Sequence, residues 1–222
     1  MKRILTTCTC LTALTTAALA ETPRNAIVNT HPSQGEVTAV ADATAQLLVH
    51  DDGLFVSLDT ENLTPDHVHT LWLVVINNPA GCFDAAAVEA QQKVNAEDCN
   101  SSDVLLRTDD VAADVGYAGG VIVGEDGKAS FAFHQEEGAL SGAWFGTGLG
   151  DASAAEVHLV VNDHGPLIAG RERAMISSYR DGCKDDSIPG PMPAAARADG
   201  APGPNVCRLV QTAVFKLPEQ SS

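Results

Sequence analysis

The ten residues from His67 to Ile76, HVHTLWLVVI, form the most apolar run of the chain after its first twenty residues. Successive side chains of a strand point to opposite faces, and here both faces are apolar beyond the histidines. A strand that is apolar on both faces lies in the middle of a sheet and is covered on both sides. Asn77, Asn78 and Pro79 end it, because proline has no amide donor and asparagine tolerates turn conformations. The run therefore predicts a central strand around which other strands must pack.

Shorter β-prone runs predict the remaining strands, with a weak edge strand over 26–28 and clearer ones over 46–50, 54–59, 116–124, 128–135, 155–162 and 207–216. Asp51-Asp52-Gly53 predicts a hairpin between the second and third of these runs, since glycine accepts positive φ. Glu125-Asp126-Gly127 predicts another hairpin between the fourth and fifth. We expect Asp163-His164-Gly165-Pro166 to end the strand over 155–162. Short strands with few helices indicate an all-β fold, an antiparallel β-sandwich with Greek-key connections.

Three segments do not follow the strand pattern. Residues 84–94, DAAAVEAQQKV, predict one short inserted helix of about three turns, because alanine, glutamate and glutamine favour helices. Residues 184–206 are rich in proline and glycine and have no periodicity, which predicts a long loop rather than a second domain. The glycine-rich loop over 138–150 carries Trp144 and Phe145, and it lacks the lysine of a phosphate-binding loop. We expect one domain over 21–222.

The first twenty residues are typical of a secretory signal peptide. Lys2 and Arg3 form its positive end, and Ala18-Leu19-Ala20 matches the small-x-small cleavage pattern. We expect cleavage after Ala20 and a secreted or periplasmic protein. No later stretch is long and apolar enough to predict a membrane span.

The composition is strongly acidic, with 29 Asp and Glu against 13 Lys and Arg and a formal net charge of −16. Nucleic-acid binding needs clusters of lysine and arginine, so nucleic acid is excluded as a partner. The charge itself favours solubility outside the cytoplasm, and an acidic face for cations is the alternative. A small molecule or another protein remains as the partner, of unknown identity.

Four cysteines follow the signal peptide: Cys82, Cys99, Cys183 and Cys207. An even number in an exported protein predicts two disulfides, and four cysteines allow three pairings. We favour Cys82–Cys99 and Cys183–Cys207, because each pairing closes one irregular segment. No CxxC occurs, which argues against a thioredoxin-like redox pair and a cysteine zinc site.

Histidines provide the sharpest candidate for chemistry. His67 and His69 lie on one face of one strand, and His158 and His164 flank the end of another. If the two strands are neighbours, these histidines could converge on copper or zinc. The alternative is structural: His67 and His69 mark an exposed strand start, and His158 forms a hydrogen bond beside the core.

His67-Val68-His69 followed by Ala80-Gly81-Cys82 superficially resembles copper/zinc superoxide dismutase. The resemblance ends there, because no histidine lies between His69 and His134, where that family has its bridging and zinc ligands. We expect no dismutase activity and at most a shared sandwich architecture.

A broader resemblance covers roughly residues 46–215. The blocks that carry it are Leu71-Trp72 with Asn77-Asn78-Pro79 and Cys82, the run GGVIVG over 119–124, and the run AEVHLVV over 155–161 with His164-Gly165-Pro166. Together they resemble a family of uncharacterised secreted bacterial proteins. In that pattern other residues often replace the first two histidines, so His158 and His164 are the better-supported half of a metal site.

These observations favour an exported, disulfide-stabilised β-sandwich that serves as a non-catalytic binding or structural module. A copper- or zinc-binding protein that uses His158, His164, His67 and His69 is the alternative. A secreted hydrolase comes third, since no Gly-x-Ser-x-Gly occurs and the acidic doublets are expected in so acidic a chain. A binding module predicts an apolar patch or groove, which we place around Trp144 and Phe145.

Overall fold

The computed structural model describes residues 23–82, 99–106, 108–188 and 192–217. Two antiparallel sheets pack face to face. The strands are β1 (Arg24–Ala26), β2 (Val28–Thr30), β3 (Thr44–His50), β4 (Gly53–Thr60), β5 (His67–Ile76), β6 (Ala113–Ile122), β7 (Ala129–Glu136), β8 (Glu156–Pro166) and β9 (Arg208–Phe215). The four-stranded sheet has the order β1-β3-β4-β7, and the five-stranded sheet has the order β2-β9-β8-β5-β6. The predicted β-sandwich is confirmed.

β5 lies inside the five-stranded sheet, between β8 and β6, as its two apolar faces predict. One face packs into the core between the sheets, where Leu71, Leu73 and Val75 are at most 1% exposed. The other face carries Trp72 and Val74 into a second apolar cluster on the outer side of the sheet. The sequence therefore located the central strand and both of its faces.

The two predicted hairpins have different outcomes. β3 and β4 pair directly across Asp51 and Asp52, so the first hairpin is confirmed. Gly53, however, lies outside the positive-φ region, and a Cβ there would lie 2.1 Å from the Gln135 carbonyl oxygen. The glycine is required because β7 approaches closely, not because of the turn.

The second predicted hairpin is wrong. Gly127 does have a positive φ of 67° and forms the expected turn. But β6 pairs with β5, and β7 pairs with β4, so the turn carries the chain from one sheet to the other. Such crossings are typical of Greek-key sandwiches.

Strand β8 also differs from the prediction, because it continues through Asp163 and His164 to Pro166. The weak edge strand over 26–28 is two strands of three residues, β1 and β2, one in each sheet. The closing strand is confirmed as β9.

Short helices connect the strands. They are α1 (Ser101–Leu106), α2 (Thr108–Val111), α3 (Glu172–Met175) and α4 (Ala194–Ala198), with 3₁₀ turns at Pro32–Gln34, Pro79–Gly81 and Asp185–Ser187. α4 lies within the segment that we predicted to be a loop. The predicted helix over 84–94 and the predicted signal peptide lie outside the described residues. In the part of the chain that is described, no helix is long and apolar enough to cross a membrane.

Both predicted disulfides are present. Cys82 pairs with Cys99, and Cys183 pairs with Cys207, each with Cα atoms 5.4 Å apart. Cys99, Cys183 and Cys207 are buried in the outer apolar cluster. The bridges therefore tie irregular segments to the outer face of the five-stranded sheet.

Candidate functional site

A cleft with a volume of about 1080 Å³ runs along the outer face of the five-stranded sheet. Trp72, Val160 and Thr212 form one row across its floor, because they are paired residues of β5, β8 and β9. Val74 and His158 belong to the next row. The partly exposed side chains of Val160 and Thr212 show that this face is only partly covered.

Three aromatic rings meet at one end of the cleft. The ring centroids of Trp72 and Trp144 are 5.4 Å apart, and those of Trp144 and Tyr179 are 4.7 Å apart with an edge-to-face geometry. Tyr179 also contacts Trp72, at 5.2 Å. All three rings line the cleft. Trp72 and Tyr179 are only 1% and 2% exposed, so the partly buried ring of Trp144 presents most of the aromatic surface to the cleft and the other two rings support it.

A chain of hydrogen bonds holds Trp72 in place. Its indole Nε1 donates to Thr70 Oγ1 at 2.9 Å, and that hydroxyl lies 2.9 Å from His164 Nε2. His164 Nδ1 lies 3.0 Å from the carbonyl oxygen of Asp181, which can only accept. Nδ1 therefore carries the proton, and Nε2 accepts from Thr70. His164 is thus a neutral, fully bonded histidine, and burial lowers its pKa.

The loop that carries Trp144 is held by a buried carboxylate. Asp114 Oδ1 accepts from the amide of Phe145 at 3.0 Å, and Asp114 Oδ2 accepts from the amide of Gly148 at 2.8 Å. The side chain of Asn77 adds bonds to the backbone of Gly148 and Gly150. Charged acceptors bind amides strongly, so the glycine-rich loop has a defined conformation around Trp144.

A histidine–carboxylate pair lies farther along the cleft. Glu156 Oε1 lies 2.6 Å from His158 Nε2 and accepts from the amide of Cys99 at 3.2 Å. Both side chains are largely buried, and His158 lines the cleft. Because Nε2 is bonded to Glu156, His158 has only Nδ1 left for another partner.

A second histidine–carboxylate cluster lies at the opposite end of β8. His67 Nδ1 is 2.9 Å from Asp163 Oδ1, and His69 Nε2 is 3.9 Å from the same oxygen. The two imidazole rings stack with centroids 6.4 Å apart. Burial lowers the pKa of His69 to about 4, although Asp163 and the His67 backbone act to raise it. His69 is therefore neutral at neutral pH.

The structure does not bring the four predicted histidines to one point. His158 pairs with Val74, whereas His69 pairs with Asp163, so His158 is five residues away along β8. At about 3.3 Å per residue, that separation is about 16 Å. His164 is on the outer side of the sheet, where both of its nitrogens are bonded. His67 and His69 remain together.

His164 also lies near two cysteines, with Cys183 Sγ 3.7 Å from its Nδ1. Among the described residues, His164, Cys183 and Cys207 form a group of three possible metal ligands whose ligand atoms all lie within 4.8 Å of one another. Both sulfurs are bonded to each other, however, and metals bind the thiolate. The group is therefore a disulfide packed on a structural histidine.

Sequence reasoning missed Asp163, Asp114 and Tyr179. The sequence pattern places Asp163 in a turn, whereas the structure places it in β8, where its carboxylate accepts from the amide of Gly165 at 2.7 Å. Asp114 and Tyr179 lie in segments without a clear β pattern, and no local signal connects them to Trp72 or Trp144.

Comparisons with protein families, with curated proteins and with solved structures find no match. The resemblance to secreted bacterial proteins therefore stays a prediction.

Proposed function

We propose that this protein is a non-catalytic binding protein that holds a small ligand with an apolar body in the cleft on the outer face of its five-stranded sheet. The observation that carries the proposal is the cluster of Trp72, Trp144 and Tyr179 inside a cleft of about 1080 Å³. Ligand sites are concave, mostly apolar and largely preformed, with a few polar groups. The bonds to Asp114 and Thr70 supply the preformed geometry.

Intrinsic fluorescence provides the test, because the chain has two tryptophans and both line the cleft. We expect N-phenyl-1-naphthylamine, a neutral apolar dye, to bind with micromolar affinity and to quench tryptophan emission by energy transfer. Trp144→Ala should weaken dye binding measured by the dye's own emission.

The matched control is Phe55→Ala. Phe55 is an aromatic residue, 40% exposed, on β4 of the other sheet. Equal loss of dye binding in both variants, or no binding to the unmodified protein, would contradict the proposal.

A second candidate function is copper or zinc binding at the strand end formed by His67, His69 and Asp163. Two imidazoles and a carboxylate are suitable ligands for both metals. The carboxylate already lies within 4 Å of a nitrogen of each histidine, and His69 is neutral. His158 and His164 are not part of this set, for the reasons of distance and bonding given above.

Calorimetric titration of tag-free protein with zinc and with copper tests this function. We expect micromolar affinity and at least a tenfold loss in Asp163→Asn. The control is His134→Gln, whose ring is exposed and contacts His50 on the other sheet. Millimolar affinity, or equal loss in the two variants, would exclude the strand-end site.

We also propose that the protein works outside the cytoplasm, as a secreted or periplasmic protein. Two disulfides support this location, because they persist in oxidising compartments. Fractionation of cells that express the full chain, with N-terminal sequencing of the product, tests both the location and the cleavage after Ala20.

A further inference from the structure

We infer that the ligand of the cleft is an amphipathic carboxylate, with its apolar body on the aromatic cluster and its carboxylate on Arg24. This inference rests on the proposed ligand-binding function and assigns the chemical class of the ligand.

The first observation is an incompletely bonded guanidinium. Arg24 lines the cleft beside the end of β9, where its Nη1 donates to the carbonyl oxygen of Lys216 at 3.0 Å. Its Nη2 is buried and has no hydrogen-bond partner among the residues that the structure describes. A buried donor without a partner costs free energy, and a charged one costs more. A bound carboxylate would accept from Nη2 and neutralise the charge.

The second observation is the distribution of charge. The chain has 29 aspartates and glutamates, yet the described residues that line the cleft include neither. The cations Arg24 and Lys216 both line it. In a protein with a formal net charge of −16, the described lining of this cleft lacks carboxylates, with Glu156 behind His158, and it has basic groups at one end. Such complementarity selects for an anion.

The third observation is the distance between the Arg24 end of the cleft and its aromatic end. Two rows of paired residues mark these ends. One row contains Phe215, Val157 and Val75, and the other contains Thr212, Val160 and Trp72. The rows are three residues apart along the strands. Arg24 lies near the first row at β9, and the aromatic cluster lies over the second at β5. Arg24 and the aromatic cluster are therefore separated by three residues along the strands and by two strand spacings across the sheet, which is about 14 Å. An extended apolar body with a terminal carboxylate spans this distance.

Trp144 adds a polar group at the aromatic end, since its Nε1 is also buried and no described residue forms a hydrogen bond with it. This donor can bind an ether, hydroxyl or carbonyl oxygen on the apolar body. Arg24 carries a full charge and is therefore the anchor for the carboxylate.

Displacement of N-phenyl-1-naphthylamine by three ligands with the same ten-carbon chain tests the inference. The ligands are decanoate, decanol and decylamine. We expect decanoate to displace the dye at a concentration about tenfold lower than decanol, and decylamine to be the weakest. The net charge of the protein by itself would favour the amine, so the expected order is opposite to a non-specific effect.

Arg24→Met should remove the advantage of decanoate over decanol, whereas Arg24→Lys should keep most of that advantage. A cooperative urea unfolding transition shows that the variants fold. Equal displacement by decanoate and decanol, a preference for decylamine, or a decanoate advantage that survives in Arg24→Met would overturn the inference and leave the proposed function intact. A dye that does not bind at all would overturn both.

Discussion

The two faces of β5 differ in what they pack against: the inner face packs in the core between the sheets, and the outer face borders the cleft. On the inner face, Leu71, Leu73 and Val75 are at most 1% exposed and are enclosed by the second sheet. On the outer face, Trp72 and Val74 are also buried, at 1% and 8% exposed, but they line a cleft. The side chains of Leu71, Leu73 and Val75 have no polar atoms, whereas Trp72 donates a hydrogen bond to Thr70. One strand thus contributes packing energy on one side and a preformed binding surface on the other.

The largest expected effect belongs to the inner face. Leu73→Ala should lower the free energy of unfolding by about 2–5 kcal/mol, because it leaves a cavity between the sheets. Urea unfolding measures the loss, and dye affinity of the folded protein should change less than twofold. The neighbouring outer-face variant Val74→Ala should cost less. If the two variants cost the same, the outer face is as tightly packed as the inner one.

The next effect concerns the loop that places Trp144. Asp114→Asn should lower the free energy of unfolding by about 1–3 kcal/mol, because an amide replaces a charged acceptor that serves several backbone amides. Dye affinity should fall as well. Asp109→Asn, on the exposed side of α2, is the control and should change neither quantity. Unchanged dye affinity in Asp114→Asn would show that the loop holds its shape without this carboxylate.

Substitution of Trp144, which lines the cleft on the outer face, should affect dye binding more than stability. Trp144→Ala should weaken dye binding about tenfold, or about 1.4 kcal/mol, with a smaller change in unfolding free energy. Trp144→Phe should retain most of the affinity, because the apolar ring remains. A stability loss as large as that of Leu73→Ala would make Trp144 a core residue and would remove the distinction between the faces.

The smallest expected effect is a dependence of the free energy of unfolding on pH, which arises from the protonation of His164. Burial lowers its pKa in the folded protein, so between the folded and unfolded pKa values the unfolded chain binds more protons. Stability is therefore complete above the ordinary value of 6.5 and declines gradually as the pH falls below it. Urea midpoints from pH 8 to pH 5 measure this decline, and His164→Gln should make it less steep without abolishing it, because burial also lowers the pKa of His31 and of His69. An equally steep decline in the variant would assign it to other groups.

Local patterns predicted most of the strands. The run from His67 to Ile76 is apolar enough to predict a strand and its central position in the sheet. Asp51-Asp52 connects two strands that are neighbours in the sequence, so their pairing was also predictable. The disulfide pairing followed from the same locality, because each bridge closes a short segment. The signal at Glu125-Asp126-Gly127 correctly predicted a turn. It could not predict which sheet the next strand would join, since that depends on pairing with β4, far away in the sequence.

The candidate site was predicted only in part, for the same reason. Trp144 and His158 were identified as residues of interest, but whether His158 meets His69 depends on the register between β5 and β8. A shift of a few residues along the strands would change every neighbour. Arg24, Asp114 and Tyr179 have no neighbouring motif that marks them.

The sequence by itself determined the alternation of apolar residues, the turns and the cysteine pairs, because each depends on residues that are near each other along the chain. The tertiary structure decided that one face of β5 is closed and the other holds a cleft. It also separated the histidines and placed Arg24 at one end of a cleft whose described lining residues include no aspartate or glutamate. These outcomes depend on long-range strand pairing, in which the free energy is shared by many contacts and no single motif specifies the partner.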